Sequence, residues 1–179
     1  AVLFEGETVS YYDTTTFESE ELDVLVGATA VSWNADESSI YSVLYDDASK
    51  KDALVKLNVD DGSVEKFVYF LRDIEQYELS VSPNESYVAL IDQTSDTQVL
   101  YLIDLEDAAR TNVYEAGIIE NGAWSRDSNY YIFGGEYQVW MMNSQNKNVE
   151  ELPFNTSLDL ISDAINDEFY FVSTQEYNL

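Results

Sequence analysis

Cysteine and histidine are both absent from this 179-residue chain. Without cysteine there are no disulfides, no thiol nucleophile and no thiolate-held metal. Without histidine, Ser-His-Asp catalysis and histidine-ligated zinc are excluded from these residues. Positive charge is scarce: 8 basic residues face 35 acidic ones, for a net charge of −27. A field of that sign repels phosphate backbones and anionic lipid surfaces, so nucleic acid is excluded as a partner. No apolar run approaches the ~18 residues of a transmembrane helix, so no membrane insertion by this segment is expected. No helical pattern of ten or more residues is present either, which argues against α/β folds.

What the chain has in quantity is strand-forming residues. Aromatics make up 14% of it, including 14 tyrosines and 8 phenylalanines, and these favour strands over helices. One phrase recurs: Trp33-Asn-Ala-Asp-Glu-Ser-Ser-Ile-Tyr41, Val81-Ser-Pro-Asn-Glu-Ser-Tyr-Val-Ala-Leu90 and Trp124-Ser-Arg-Asp-Ser-Asn-Tyr-Tyr-Ile-Phe133. Each reads as a strand end, a polar turn and a second strand. Trp33 and Val81 are 48 positions apart, and Val81 and Trp124 are 43 apart. A period of that length with four strands per unit is the signature of propeller blades, which must stack on one another to bury both faces.

The expected fold class is therefore all-β: a β-propeller segment of four-stranded antiparallel blades, three full and two partial. The boundaries are a partial blade over 1–26, full blades over 27–70, 71–116 and 117–155, and a partial blade over 156–179. Both ends read as cut from a larger propeller of six to eight blades. Within the first unit, Phe17–Leu25 is expected to be an acidic outer strand. In the second, Asp46–Asp52 reads as a charged loop and Ala53–Val59 as a half-buried strand. Asp60-Asp-Gly62 reads as a turn with Gly62 at positive φ. Gly134-Gly135 is read as a two-residue hairpin turn.

These phrases resemble the Trp-Ser-Pro-Asp-Gly-aromatic motif of the WD40-like (PD40, TolB-type) β-propeller repeat. Trp124-Ser-Arg-Asp-Ser and Val81-Ser-Pro-Asn-Glu-Ser match closely, and Trp33-Asn-Ala-Asp-Glu-Ser more loosely. The later Leu57-Asn-Val-Asp-Asp-Gly62 and Leu102-Ile-Asp-Leu105 also resemble the repeat. The resemblance spans about residues 30–155. The chain departs from the pattern in lacking the turn glycine after Asp36, Asn84 and Asp127, and it has no Gly-His or Trp-Asp dipeptides. The resemblance implies a fold that hosts many activities.

Candidate sites have plain alternatives. The acidic turns at Asp46-Asp47, Asp60-Asp61 and Asp92 with Asp96 offer oxygens suited to Ca²⁺, but none follows an EF-hand pattern, and solvated turns explain them. Carboxylate pairs are inevitable by chance among 35 acids, and the Ser-x-Asp-x-Gly-x-Thr-Trp box of sialidase-type propellers is missing. No catalytic, cofactor-binding or metal residue is assigned. Trp33, Val81 and Trp124 share one repeat position and are assigned to packing between blades, and Trp140 to the core. One member of each tyrosine pair, Tyr11-Tyr12 and Tyr130-Tyr131, should be buried and the other exposed. Asn84-Glu-Ser86 and Asn155-Thr-Ser157 fit the N-glycosylation pattern.

Two functions are carried forward. The first is a non-enzymatic binding or structural module of an exported protein (extracellular, cell-surface or periplasmic), presenting loops to a protein or glycan partner or to other parts of a larger assembly. The alternative is the propeller domain of a larger hydrolase of the prolyl-oligopeptidase type, with its catalytic domain elsewhere. With no cofactor expected, the melting temperature should be the same in Ca²⁺ and in chelator; a drop on chelation would mark a Ca²⁺-stabilised adhesin instead.

Overall fold

The computed structural model describes residues 2–5, 8–12, 15–70, 77–93, 96–135, 138–153, 158–163 and 168–173. They form five antiparallel sheets in strict chain order. The first has three strands: β1 (Val2–Glu5), β2 (Thr8–Tyr12) and β3 (Ser19–Glu21), ordered β1-β2-β3. The second comprises β4 (Ala30–Trp33), β5 (Ser39–Asp46), β6 (Lys51–Asn58) and β7 (Val64–Phe70). The third comprises β8 (Tyr77–Val81), β9 (Tyr87–Asp92), β10 (Gln98–Asp104) and β11 (Arg110–Ala116). The fourth comprises β12 (Ile119–Trp124), β13 (Tyr130–Gly135), β14 (Gln138–Asn143) and β15 (Val149–Leu152), and the fifth β16 (Leu158–Asp163) with β17 (Glu168–Ser173). Strands β4, β8, β12 and β16 contact one another in succession, so the sheets stack around the line of these inner strands. This is the β-propeller arrangement. No helix among the described residues is long and apolar enough to cross a membrane.

The hydrophobic core is not one mass but a series of layers between sheets. Tyr41, Val43, Leu54, Tyr77, Leu79, Val88, Leu90 and Ile103 form the layer between the second and third sheets. Ala89, Ile91, Leu100, Leu102, Trp124, Tyr131, Phe133 and Met142 form the layer between the third and fourth. Successive residues of one strand therefore enter different layers: in β9, Val88 and Leu90 face back and Ala89 and Ile91 face forward. That follows from the period of two along a strand. It also corrects the expectation that Ala53–Val59 is half-buried. Leu54 joins the layer toward the third sheet, while Ala53, Val55 and Leu57 join the one toward the first. Each such Val or Leu contributes roughly 1.5–3 kcal/mol by leaving water.

Other expectations are corrected locally. Phe17–Leu25 is not one strand: β3 covers only Ser19–Glu21, and Asp23–Leu25 is a turn of 3₁₀ helix. The chain turns because Leu25, fully buried, must reach the layer it shares with Val9 and Ile40. Strands β5 and β6 extend through Asp46 and Lys51, so the charged loop shrinks to residues 47–50, with Lys50 at φ 59°. Gly134 and Gly135 lie inside β13, not in the turn that follows it. They are closely approached across the strand pair: a Cβ on Gly134 would lie 3.2 Å from the Glu120 Cβ, and one on Gly135 would lie 3.2 Å from the Ile118 carbonyl oxygen. Gly62 has φ 69°, as its turn requires.

The turn after each inner strand is built the same way three times. Asn34, Ser82 and Ser125 donate their main-chain N–H groups to the carbonyls of Ser39, Tyr87 and Tyr130. Each also accepts a second bond on its side-chain oxygen from the N–H five residues on. Asp36, Asn84 and Asp127 brace the bend by accepting from the N–H two residues on. The positions where the family motif has glycine keep its conformation without the residue: Glu37, Glu85 and Ser128 have φ of 60°, 54° and 62°. A side chain there costs roughly 1–2 kcal/mol. Glu37 is exposed. Glu37→Gly should therefore raise stability by ~0.5–1 kcal/mol, part of the gain being offset by glycine's larger unfolded-state entropy. Urea unfolding of the two proteins checks this.

Candidate functional site: a joint and cleft between two sheets

In two of the three turns the left-handed residue reaches back to the preceding sheet. At the fourth sheet, Ser128 Oγ accepts the Asn84 main-chain N–H at 3.0 Å. At the third, Glu85 does far more. Its Oε1 accepts from Asn34 Nδ2 at 2.8 Å, and its Oε2 from Tyr41 Oη at 2.8 Å and Lys56 Nζ at 2.6 Å. Asn34 belongs to the equivalent turn of the second sheet, Tyr41 to β5 and Lys56 to β6. One carboxylate thus ties two strands and a turn of one sheet to the next. Lys56 also lies 5.4 Å from the centre of the Tyr41 ring, a cation–π position.

The electrostatics follow from this geometry. Burial alone would push the Glu85 carboxyl up, but the bonds from Lys56, Asn34 and Tyr41 outweigh it and hold it below its usual value of 4.5. Burial, with the bond to Glu85 and its charge, pushes the Tyr41 phenol well above its ordinary range. Both Glu85 oxygens are occupied by these donors, so the group is an anchor rather than a free acid.

Above this joint lies an open cleft of about 360 Å³. Tyr41, Phe67 and Tyr87 supply its aromatic walls, with the Tyr41 and Phe67 rings stacked at 6.2 Å. Glu65, Asp104 and Glu106 supply negative charge from both sheets. The cleft opens on the side of the β6–β7 and β10–β11 turns, whose first residues Asn58 and Asp104 accept main-chain N–H groups in the same way.

Trp33, Val81 and Trp124 end β4, β8 and β12, and the structure brings all three to one small groove of about 190 Å³, with Ala35, Pro83 and Gly122. Each tryptophan packs backward: Trp33 meets the Tyr11 ring edge-on at 5.8 Å, and Trp124 stacks on Tyr87 at 6.4 Å. Trp140 is half-buried against Tyr114, at 4.9 Å. Tyr131 is fully buried and Tyr130 exposed, whereas Tyr11 and Tyr12 are both half-buried. The alternation expected of both pairs holds for Tyr130-Tyr131 and not for Tyr11-Tyr12. Asn84 is exposed at the tip of its turn; Asn155 lies outside the described residues.

The acidic turns mostly hold their own bends. Asp46 pairs with Lys66 at 2.6 Å and also accepts the Ser49 N–H, which hold its carboxyl down at about 2. Asp47 pairs with Lys50 at 3.1 Å, and Asp61 accepts from the Ser63 N–H. Asp60 and Asp96 are exposed, and Asp92 is half-buried at the end of β9. Among the described residues no three acidic side chains converge as a metal site. The Glu85 network was invisible in the sequence because its partners are 51, 44 and 29 positions away. One signal did point to it: a charged residue where the motif wants glycine.

Replacing Glu85 by Gln should cost about 1.5–3 kcal/mol near neutrality, the worth of bonds to a charged group. Because the folded carboxyl titrates below 4.5, its contribution is present above that pH and fades as pH falls through the lower folded value. The stability gap between wild type and Glu85→Gln should therefore close below about pH 4, as followed by urea unfolding across pH.

No protein-family model matches this chain, and no curated protein matches it. Solved structures do. TolB from Acinetobacter baumannii aligns with a TM-score of 0.62 at 19% identity, over 84% of this chain and 38% of that one. The β-propeller domain of the Trilobed protease from Pyrococcus furiosus aligns at 0.54 and 17% identity, over 75% of this chain and 45% of that one. A chain of a nidogen/laminin complex aligns at 0.66 and 9% identity, over 96% and 69%. The chain thus spans less than half of the first two, and the likeness is one of β-propeller fold.

Proposed function

We propose that this chain is a non-enzymatic β-propeller module that presents one of its turn-bearing sides to a partner protein. The observation that carries this reading is the cleft between the second and third sheets. It sets aromatic walls from Tyr41, Phe67 and Tyr87 beside the carboxylates of Glu65, Asp104 and Glu106. Aromatic surface next to fixed charge is the composition of protein-binding patches. The partner chemistry it fits is a basic side chain on a protein surface, drawn in by the net charge of −27 and held by ring faces and carboxylates. An exported setting, extracellular, cell-surface or periplasmic, is in keeping with the likeness to TolB. The second reading, a propeller domain of a larger hydrolase, draws on the likeness to the protease propeller; a Gly-x-Ser-x-Gly motif with Asp and His elsewhere in the gene would favour it over the first.

The test is binding of Arg- and Lys-containing peptides, measured by calorimetry at low and physiological salt. Phe67→Ala and a Glu65→Gln/Glu106→Gln double variant should each weaken binding at least about fivefold. Affinity unchanged in both variants would show that any attraction is only diffuse charge and would remove the cleft as the site.

A further inference from the structure

The turns after β4, β8 and β12 share one backbone, and Asp36, Asn84 and Asp127 occupy the same place in it. Each uses a side-chain oxygen to accept the N–H two residues on, at 3.0 Å. The bend needs only that oxygen, and aspartate supplies it in two of the three turns. In the third an amide stands in its place. Asn84 Oδ1 accepts the Ser86 N–H at 3.0 Å and the Ser82 hydroxyl at 2.9 Å. Both partners donate, so the oxygen faces the bend and Nδ2 is turned away from it. Asn84 is exposed, and among the described residues its Nδ2 makes no hydrogen bond.

The side chain two residues on differs between the turns as well. Ser38 Oγ accepts from Asn34 Nδ2 at 3.1 Å, and Asn129 Nδ2 donates to Asp127 Oδ2 at 2.6 Å, so both are occupied within their own turns. The Ser86 hydroxyl makes no such bond among the described residues, and Ser86 is half-buried at the wall of the cleft. Residues 36–38 and 84–86 read Asp-Glu-Ser and Asn-Glu-Ser on the same backbone. Only the second presents an amide nitrogen to solvent with a hydroxyl two positions on, which is the acceptor arrangement of Asn-x-Ser/Thr. We propose that Asn84 is an N-glycosylation site, carried on the turn between β8 and β9.

The step takes a glycan from a polyprenyl diphosphate carrier, through a transferase of the exporting cell. A bond forms between Asn84 Nδ2 and the sugar C1, and the bond from C1 to the carrier phosphate breaks. The carrier leaves as its diphosphate, and one amide proton passes to a base of the transferase. The folded turn must then hold the product, and its bonds allow this. Oδ1 keeps both its donors, and the Asn84 main-chain N–H keeps its bond to Ser128 Oγ at 3.0 Å. The glycan leaves from the solvent side, at the margin of the cleft that Ser86 helps to wall. The three-residue pattern is frequent by chance. What singles out Asn84 is the amide and the unengaged hydroxyl at positions where the equivalent turns carry neither. The inference rests on the exported setting proposed above and not on what the cleft binds, so a failure of peptide binding leaves it standing.

The experiment sends the 179-residue chain through the secretory route of a eukaryotic cell behind a cleavable leader. Asn155→Gln removes the second pattern, and an appended Asn-Ala-Thr tail reports that the chain has met the transferase. Peptide mass spectra are read before and after amidase release of the glycan in ¹⁸O water, which marks each occupied asparagine. The expected result is a glycan on both Asn84 and the tail. Asn84→Asp and Ser86→Ala should each lose the first glycan and keep the second. Asn84→Asp installs the residue of the two equivalent turns, so the bend is retained. The glycosylated chain should melt no lower than Asn84→Asp. The proposal is overturned if the tail is occupied while Asn84 stays bare, or if occupancy of Asn84 survives Ser86→Ala. It is also overturned if the glycan lowers the melting temperature, which would show that the folded turn does not accommodate it.

Discussion

The constraint on which this structure depends is that an interior four-stranded sheet has two apolar faces and no water-facing side. A lone sheet of this kind would leave both faces exposed, so each interior sheet is stable only between two others. The strands show the result directly. In β9 the run Val88-Ala-Leu-Ile91 is apolar at every position because odd and even residues serve two different layers. Apolar residues therefore dominate the strand centres, with polar exceptions such as Ser42 and Lys56. Many of the described acids lie in turns, among them Asp36, Asp47, Asp60, Asp61 and Asp127, which lets a high charge coexist with a continuous core.

Stacking sheets need a joint that sets their spacing, and the turn after each inner strand supplies it. Its main chain is nearly invariant: the same pair of bonds closes it three times, and the same left-handed residue follows. Its side chains are not. Ser128 takes one main-chain N–H from the preceding turn, whereas Glu85 gathers Asn34, Tyr41 and Lys56. A glycine would adopt the backbone more easily at all three positions, yet it would offer nothing to the neighbouring sheet. At Glu85 the conformational cost is offset by three bonds, one of them charged. At Glu37 no such return is visible.

This contrast explains what was legible in the sequence. The fold was readable because it is local and repeated: the Trp33, Val81 and Trp124 phrases carry the turn, and the apolar runs after them carry the second strand. The sheet-to-sheet chemistry was not, because a repeat specifies what each unit has in common and the bonds of Glu85 depend on where it differs. Gly134-Gly135 shows the opposite error. A glycine pair suggested a turn from backbone freedom, but its cause is the approach of Glu120 and Ile118 across the strand pair, which no local pattern records. Leu25 likewise ended a strand early because of a core it reaches only in three dimensions.

The joints between sheets are therefore where this chain is individual. The joint between the third and fourth sheets is closed by the Asn84 main-chain N–H donating to the Ser128 hydroxyl and by a tryptophan whose donor is satisfied. The one between the second and third is closed by an ion pair and leaves a cleft walled by Tyr41, Phe67 and Tyr87. At the one between the first and second, the equivalent tryptophan packs on Tyr11, and among the described residues its Nε1 has no acceptor. If the repeat served only to build a scaffold, equivalent joints would carry equivalent chemistry, since the backbone is the same at each. They diverge in polar side chains rather than in apolar packing. Polar groups at a joint add little net stability compared with burial of the layers themselves. Their divergence therefore distinguishes one joint from another more than it stabilises the stack, and the chain departs from its own repeat at the seams between sheets and not in the backbone of the repeated turns.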